Sequence, residues 1–207
     1  MPYARLPLFP LPNVVLFPGV FLPLHIFEPR YRLMLEEALR TDRMIGMVLL
    51  KPGYEADYEG RPPIYPVGCA GLVSRVDELK NGRYNIVLHG FEKFRIVSEE
   101  PDGPFRRAEV TSLPEILDAE AKDRLRGERV KLEALLLPTK QGSEAQFPSS
   151  LADEDLVNAL SQYLNLLPVE RQALLEREHA LDRCRGLIEL VEMQSMATRM
   201  PSAKGVH

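Results

Sequence analysis

Five side chains have the types needed for a hydrolytic set: Ser74 and Ser98 as nucleophiles, His25 and His89 as bases, and Glu92 as an orienting acid. Acyl transfer needs a hydroxyl activated by a neighbouring imidazole, which a carboxylate in turn holds in the right tautomer. Neither serine lies in the Gly-x-Ser-x-Gly elbow that presents such a nucleophile. His89 precedes Gly90 and reads as a turn residue, and a structural hydrogen bond is the ordinary role for His25. No catalytic residue is expected. Nor do His25, His89, His179 and His207 stand at metal-ligand spacing from one another or from Cys69 and Cys184, so no metal or cofactor site is expected. Each cysteine is expected to be a small buried apolar residue.

Residues suited to contact, rather than to bond making, are better represented. The stretch from Lys51 to Pro66 holds Tyr54, Tyr58 and Tyr65 among glycines, prolines and charges. Tyrosines give contact area at low entropic cost, and binding residues concentrate on loops held by a rigid scaffold. The same tyrosines would equally suit a connector that packs back on its own sheet. Near the C-terminus, Leu190, Met193, Met196 and Met200 form a helical stripe. Flexible thioethers serve adaptable interfaces and cores alike, so the stripe reads either as core or as the face of a homodimer.

Composition narrows the classes of partner. The 207 residues are long enough for one or two domains and a sizeable core. Net charge is −4, and residues 1–112 are neutral, so neither half has the basic excess that phosphate contacts require. Arg106 and Arg107 are a minor basic patch at the start of a strand. An RNA-binding module is therefore a secondary reading. No apolar run approaches the roughly 18 residues of a membrane span, and the N-terminus has no signal-peptide pattern. The expected location is the cytoplasm.

The elements that must position these residues fall into two halves, residues 1–113 and 114–207. Seven of the eighteen prolines precede residue 30. Proline fixes φ and donates no hydrogen bond, which argues for short extended pieces and turns and against a central strand there. Met44 to Leu50 reads as a buried strand, and Asn81-Gly82 as a type I′ hairpin with a strand from Tyr84. A turn at His89-Gly90 and strands around Phe94–Ile96 and Phe105–Leu113 follow. One helix starts at Pro29, with Glu28 placed to favour its positive end. From Pro114 the period becomes helical, giving candidates at Ile116–Leu137, from Asp153 through Leu164 with Tyr163 on the buried stripe, at Pro168–Leu175, and from Leu181 to Val191. The expected class is α+β: a β-barrel or curved sheet with one inserted helix, then a C-terminal α-helical bundle.

The opening segments Leu6-Pro7-Leu8-Phe9-Pro10-Leu11, Val14-Val15-Leu16-Phe17-Pro18-Gly19 and Phe27-Glu28-Pro29-Arg30-Tyr31 resemble the N-terminal substrate-binding domain of Lon ATP-dependent proteases. Gly90-Phe91-Glu92-Lys93-Phe94-Arg95-Ile96 is similar to the family's Gly-x-x-Arg-Phe-x-Ile segment, with Lys93 in place of Arg, and Gln172 to Glu176 to its Gln-x-x-Leu-Glu helix. The resemblance implies a PUA-like barrel followed by helices. It also implies a non-catalytic module that binds unfolded or exposed apolar polypeptide segments, or a specific protein partner. No Gly-Lys dipeptide occurs anywhere, so a P-loop is absent, and no serine–lysine peptidase domain is expected. The contact residues expected are Tyr54, Tyr58, Tyr65, Met193, Met196 and Met200.

Overall fold

In the computed structural model of the chain, residues 3–137 and 150–199 are described; Met200 lies outside them. The first element is β1 (Tyr3–Leu11), followed by β2 (Phe21–Ile26), α1 (Pro29–Arg40) and β3 (Met44–Leu49). A short 3-10 turn (Tyr54–Asp57) leads to β4 (Val67–Glu78), β5 (Tyr84–Glu99) and β6 (Arg107–Leu113). Four helices complete the chain: α2 (Ala119–Leu136), α3 (Asp153–Tyr163), α4 (Pro168–Leu175) and α5 (Ala180–Arg199). They form two compact units, one of Met1–Pro114 with Asn158–Glu176, the other of Glu115–Val157 with Arg177–His207. The chain thus leaves the first unit after Pro114 and comes back to it within α3. No helix among the described residues is long and apolar enough to cross a membrane.

The sheet of the first unit closes on itself. β1 runs parallel to β3 and antiparallel to β6, β4 joins β3 to β5, and β5 pairs with β6 to complete a five-stranded ring. β5 can do this because it is 16 residues long. Its start, Tyr84–His89, carries β2, while Lys93–Glu99 carries β6. Contrary to the expectation from its prolines, β1 is an interior strand of nine residues. It pairs with β6 through Tyr3–Pro7 and with β3 through Leu8–Leu11, so Pro7 and Pro10 each sit in a stretch laddered mainly along one side, where a missing N–H is tolerated.

The ring is filled by Leu6, Leu8, Met44, Val48, Ala70, Phe94, Ala108 and Val110, with Ile64 and Ile96 at its margin. Small residues make room for one large ring. A Cβ on Gly46 would lie 2.9 Å from Phe94 Cζ, and one on Gly68 only 2.6 Å from the same atom.

Two turns differ from expectation. His89 and Gly90 do not turn the chain; β5 continues through them, its register against β4 shifting between Gly90 and Glu92. Gly90 instead admits a neighbouring backbone, since a Cβ there would fall 2.0 Å from the Phe17 carbonyl oxygen. Its N–H donates to Val20 O at 2.8 Å, and its carbonyl accepts from Gly19 N–H at 2.8 Å. The Asn81-Gly82 hairpin is present, but Gly82 alone takes positive φ (69°). Gly82 N–H donates to Leu79 O and Leu79 N–H to Arg83 O, the pattern of a turn followed by a left-handed glycine rather than a type I′ pair.

Among the described residues β2 is the end strand, paired only with β5. Since Val20 O accepts from Gly90 N–H, alternation along an antiparallel ladder turns Leu22, Leu24 and Ile26 toward β5. The backbones of Phe21, Pro23 and His25 then face the open side. There Phe21 O accepts from the Tyr163 hydroxyl at 2.7 Å, and upstream Pro18 O accepts from Asn158 Nδ2 at 3.0 Å. Tyr163, expected on a buried stripe, is 65% exposed and reaches β2 with its hydroxyl. Gln172 of α4, fully buried, donates to Val67 O at 3.0 Å.

In the second unit α2 lies along α5. α2 starts at Ala119, later than expected, because Asp118 caps it, its Oδ1 accepting from Ala121 N–H at 2.7 Å. Ala121, Leu125 and Leu132 face inward with Leu181, Cys184, Leu187 and Val191 of α5, whereas Leu135, expected on that face, is exposed. Burial pushes the Cys184 thiol up to about 12, so it stays protonated and packs as an apolar side chain. Two buried guanidiniums are matched: Arg183 by Glu115, and Arg129 by Glu133 and Asp153, each at 2.8 Å.

Candidate functional site

The tyrosine loop is tied at its neck. Leu50 bridges Ile64, Lys51 N–H donates to Pro63 O at 2.8 Å, and Tyr65 N–H donates to Leu49 O at 2.9 Å. Gly53, with φ of 87°, turns the chain into the 3-10 turn that follows. At the neck Lys51 Nζ lies 5.8 Å from the Tyr65 ring, and beyond it Tyr54 and Tyr58 meet edge to face at 6.1 Å. All three tyrosines are half-buried.

Tyr58 is bound to the start of α1. Its hydroxyl donates to Glu28 Oε1 at 3.0 Å, and its carbonyl accepts from Arg30 Nη1 at 3.2 Å. Pro29 occupies the first helical position and Glu28 precedes it in extended conformation, but the Glu28 carboxylate does not cap the helix. It accepts from Arg30 Nε at 2.9 Å instead. Arg30 lies over the rings of Tyr31, at 4.7 Å, and Tyr58, at 5.1 Å. Burial followed by the hydrogen bond to Glu28 raises the Tyr58 phenol above its usual range. Tyr31 is buried, its hydroxyl donating to Pro10 O at 3.3 Å, and burial raises its phenol too. Glu28, read from sequence as a helix-dipole residue, is thus the acceptor that holds a loop tyrosine and an arginine together.

Arg30, Tyr31 and Tyr58 line a cavity of about 180 Å3. Pro10, Tyr31, Leu50, Pro62, Pro104 and Phe105 give it apolar walls, and Arg30, Arg61 and Arg106 bring guanidiniums. Arg106 holds Glu99 through two hydrogen bonds of 2.8 Å and donates to Pro62 O at 2.6 Å. Arg61 lies 3.4 Å from Glu99 and donates to Glu100 O at 2.6 Å. Arg107 pairs with Glu37 and stacks on Phe105 at 4.0 Å. Arg106 and Arg107, the sequence's basic patch, are therefore both committed to carboxylates.

Burial alone would raise the Glu99 carboxyl, but the hydrogen bonds and charges of Arg106 and Arg61 outweigh it and hold the group below its usual range. A carboxyl depressed on folding stabilises the native state above its unfolded pKa, about 4.3. That contribution is lost as pH falls through the lower folded value. Thermal melts across the acid range should therefore show stability declining below about pH 4.3, and Glu99→Gln should melt lower at neutral pH with a shallower acid decline. An unchanged acid decline would separate Glu99 from it.

The hydrolytic set is not assembled. Ser74 Oγ donates to Val87 O, Ser98 Oγ reaches Glu109, His25 meets Asn85 at 2.8 Å, and His89 stacks on Phe21. Among the described residues no cluster of three or more His, Cys, Asp or Glu side chains could hold a metal ion. On α5, Met193 and Met196 are exposed, at 56% and 65%. Sequence reasoning placed Tyr58 in a contact loop but missed Glu28, Arg30, Tyr31, Glu99 and Phe105. The one available signal was the dense run Glu28-Pro29-Arg30-Tyr31.

Residues 5–193 match the model of the ATP-dependent protease La (LON) substrate-binding domain. Lon protease 2 of Syntrophobacter fumaroxidans is 31% identical over 185 residues, covering 83% of this chain and 22% of that protein. The Lon protease of Cytophaga hutchinsonii is 26% identical, covering 90% of this chain and 24% of its own length. The chain thus spans about a quarter of the length of these relatives. Among solved structures, a Lon N-terminal domain protein from Xanthomonas campestris superposes with a TM-score of 0.62 at 22% identity, covering 96% of this chain and 100% of that one. The N-terminal domain of a Mycobacterium avium complex Lon protease gives 0.70 at 19% identity, covering 91% and 98%. The ring-plus-helices architecture is accordingly that of Lon N-terminal domains, with a PUA-like barrel.

Proposed function

Because the chain belongs to the ATP-dependent protease La (LON) substrate-binding domain family, we propose that it recognises polypeptide without transforming it. The observation that carries this reading is the tied loop. Tyr54, Tyr58 and Tyr65 are half-buried on a segment anchored at both ends to the barrel, and Tyr58 lines a cavity with both apolar and charged walls. Rigid aromatic contacts on an ordered scaffold lose little entropy on binding. The occupants that fit are unfolded or exposed apolar polypeptide segments, or a protein partner that presents one. Met193 and Met196 add an exposed apolar patch on α5, suited to a protein partner or to a second copy.

A labelled, permanently unfolded polypeptide titrated with the protein, beside a single-stranded RNA, tests the reading. Binding of the polypeptide should survive added salt, while RNA stays inert; salt-sensitive RNA binding with a silent polypeptide would reverse the assignment. Tyr54→Ala is expected to weaken polypeptide binding about fivefold to tenfold, the loss of one well-placed aromatic contact, with an unchanged melting temperature. Tyr54 is the cleaner probe, since Tyr58 also holds Glu28. Full affinity in Tyr54→Ala would take the loop out of the interface.

A further inference from the structure

The tyrosine loop has a neck and a tip of different make. The neck is held by backbone: Leu50 bridges Ile64, Lys51 pairs with Pro63 and Tyr65 with Leu49. Pro62 is buried there, and its carbonyl accepts from Arg106 at 2.6 Å. Beyond the neck no residue of 51–61 is buried. The tip folds on itself, Gly60 N–H donating to Asp57 O at 2.9 Å and Arg61 N–H to Asp57 Oδ2 at 3.2 Å. Its hydrogen bonds to other parts of the described structure come from two residues. Tyr58 meets Glu28 with its hydroxyl and Arg30 with its carbonyl, and Arg61 donates to the carbonyls of Glu100 and Pro101. Tyr31, Leu50 and Phe105, all buried, line the same cavity as Tyr58, Gly60 and Arg61.

Letting go at these points strands no charge. Glu28 keeps Arg30 Nε at 2.9 Å, and Glu99 keeps both hydrogen bonds from Arg106. Pro101 is exposed and Glu100 partly so, so water can replace Arg61 at their carbonyls, as it can replace Glu28 at the phenol. A segment with few buried contacts and replaceable polar bonds opens without the rest of its unit. Of the two attachments, Arg61 adjoins the neck and can swing its side chain away with the backbone in place. Tyr58 stands farther out, so the tip cannot lift while its hydroxyl is held.

We propose that residues 53–61 form a lid on a fixed neck, latched by the Tyr58 hydroxyl on Glu28, whose lifting uncovers Tyr31, Leu50 and Phe105. Gly53, in the left-handed region at φ of 87°, is the pivot on one side, and the Arg61–Pro62 junction the pivot on the other. The device belongs to the loop itself and stands whichever occupant the loop meets.

Thiol labelling of a Leu50→Cys variant with iodoacetamide, under native conditions, reads the opening directly. Cys69 and Cys184 are both fully buried, and Cys69 lies in the same unit as Leu50, so its labelling reports unfolding of that unit. The introduced thiol should react at least about tenfold faster than Cys69, by opening of the lid alone. Adding Tyr58→Phe, which keeps the ring and deletes the latch, should speed the introduced thiol about tenfold more, the loss of one hydrogen bond to a charged group. Cys69 should be unaffected. Phe105→Cys reports the same opening from another wall of the cavity, and either variant that folds carries the test. An introduced thiol that reacts only in step with Cys69 overturns the proposal. So does one that reacts as fast as in the unfolded chain, which would mean that no closed state exists. Equal rates with and without Tyr58→Phe would remove the latch, and the proposal with it.

Discussion

Phe94→Ala is expected to cost about 3–5 kcal/mol, the range for deleting a fully buried aromatic ring. That is comparable with the entire stability of many domains, about 5–15 kcal/mol. The ring has no exposed surface and is the largest side chain in the cluster that fills the five-stranded ring. Gly46 and Gly68 leave it room by lacking side chains, and these cannot move in to close the gap. Gly68 is further constrained by the Met47 carbonyl, 2.4 Å from where its Cβ would be, so the void has no simple filling. Denaturant titration should show the midpoint dropping steeply with the slope unchanged. Gly46→Ala should be destabilising alone, since its Cβ would meet Leu6, Leu8 and Phe94 at 2.8–3.0 Å. Combined with Phe94→Ala it should cost less than the sum of the two. Strict additivity would mean that the ring and the glycine do not share the space described.

Arg183→Leu is the second large effect, expected in the other unit. Arg183 is completely buried, and its guanidinium is paired with Glu115. Removing the cation leaves a partly buried carboxylate without this counter-charge, which costs up to about 3–5 kcal/mol. Replacing both partners is a different experiment, because an apolar pair needs no such compensation. Arg183→Leu with Glu115→Leu should recover most of the loss. Amide hydrogen exchange would read it locally: α2 and α5 should exchange faster in the single variant and regain protection in the double. A single variant as protected as the parent would show that other partners carry Glu115.

The contrast between what the residues announced and what they concealed has a physical basis. Periodicity and turn chemistry are local, so α1, β3 and α4 could be read within a residue or two, with Pro29 and Pro168 marking two of the starts. Local signals misled where a residue answered to something distant. Gly90 resembled a turn because nothing near it shows that the Phe17 backbone must pass across it. The prolines of β1 seemed to forbid an interior strand because the change of partner at Leu8 belongs to the fold and not to the segment. The candidate site was hidden for the same reason. Glu28 and Tyr58 are 30 residues apart, and Arg107 and Glu37 are 70 apart. A single sequence gives no means of choosing such partners among 26 basic and 30 acidic side chains.

The proline at the middle of β2 bears on the proposed binding of polypeptide. On the proposed reading extended chains come to this protein, and any unpaired strand edge is a template on which a sheet can grow. With Pro23 on the open side, the row of donors is broken between Phe21 and His25, and Tyr163 already occupies the Phe21 carbonyl. An incoming chain finds too few consecutive partners to zip along. The contacts open to a captured segment are then those of side chains, which can be released, rather than those of a backbone ladder, which would hold it and recruit the next.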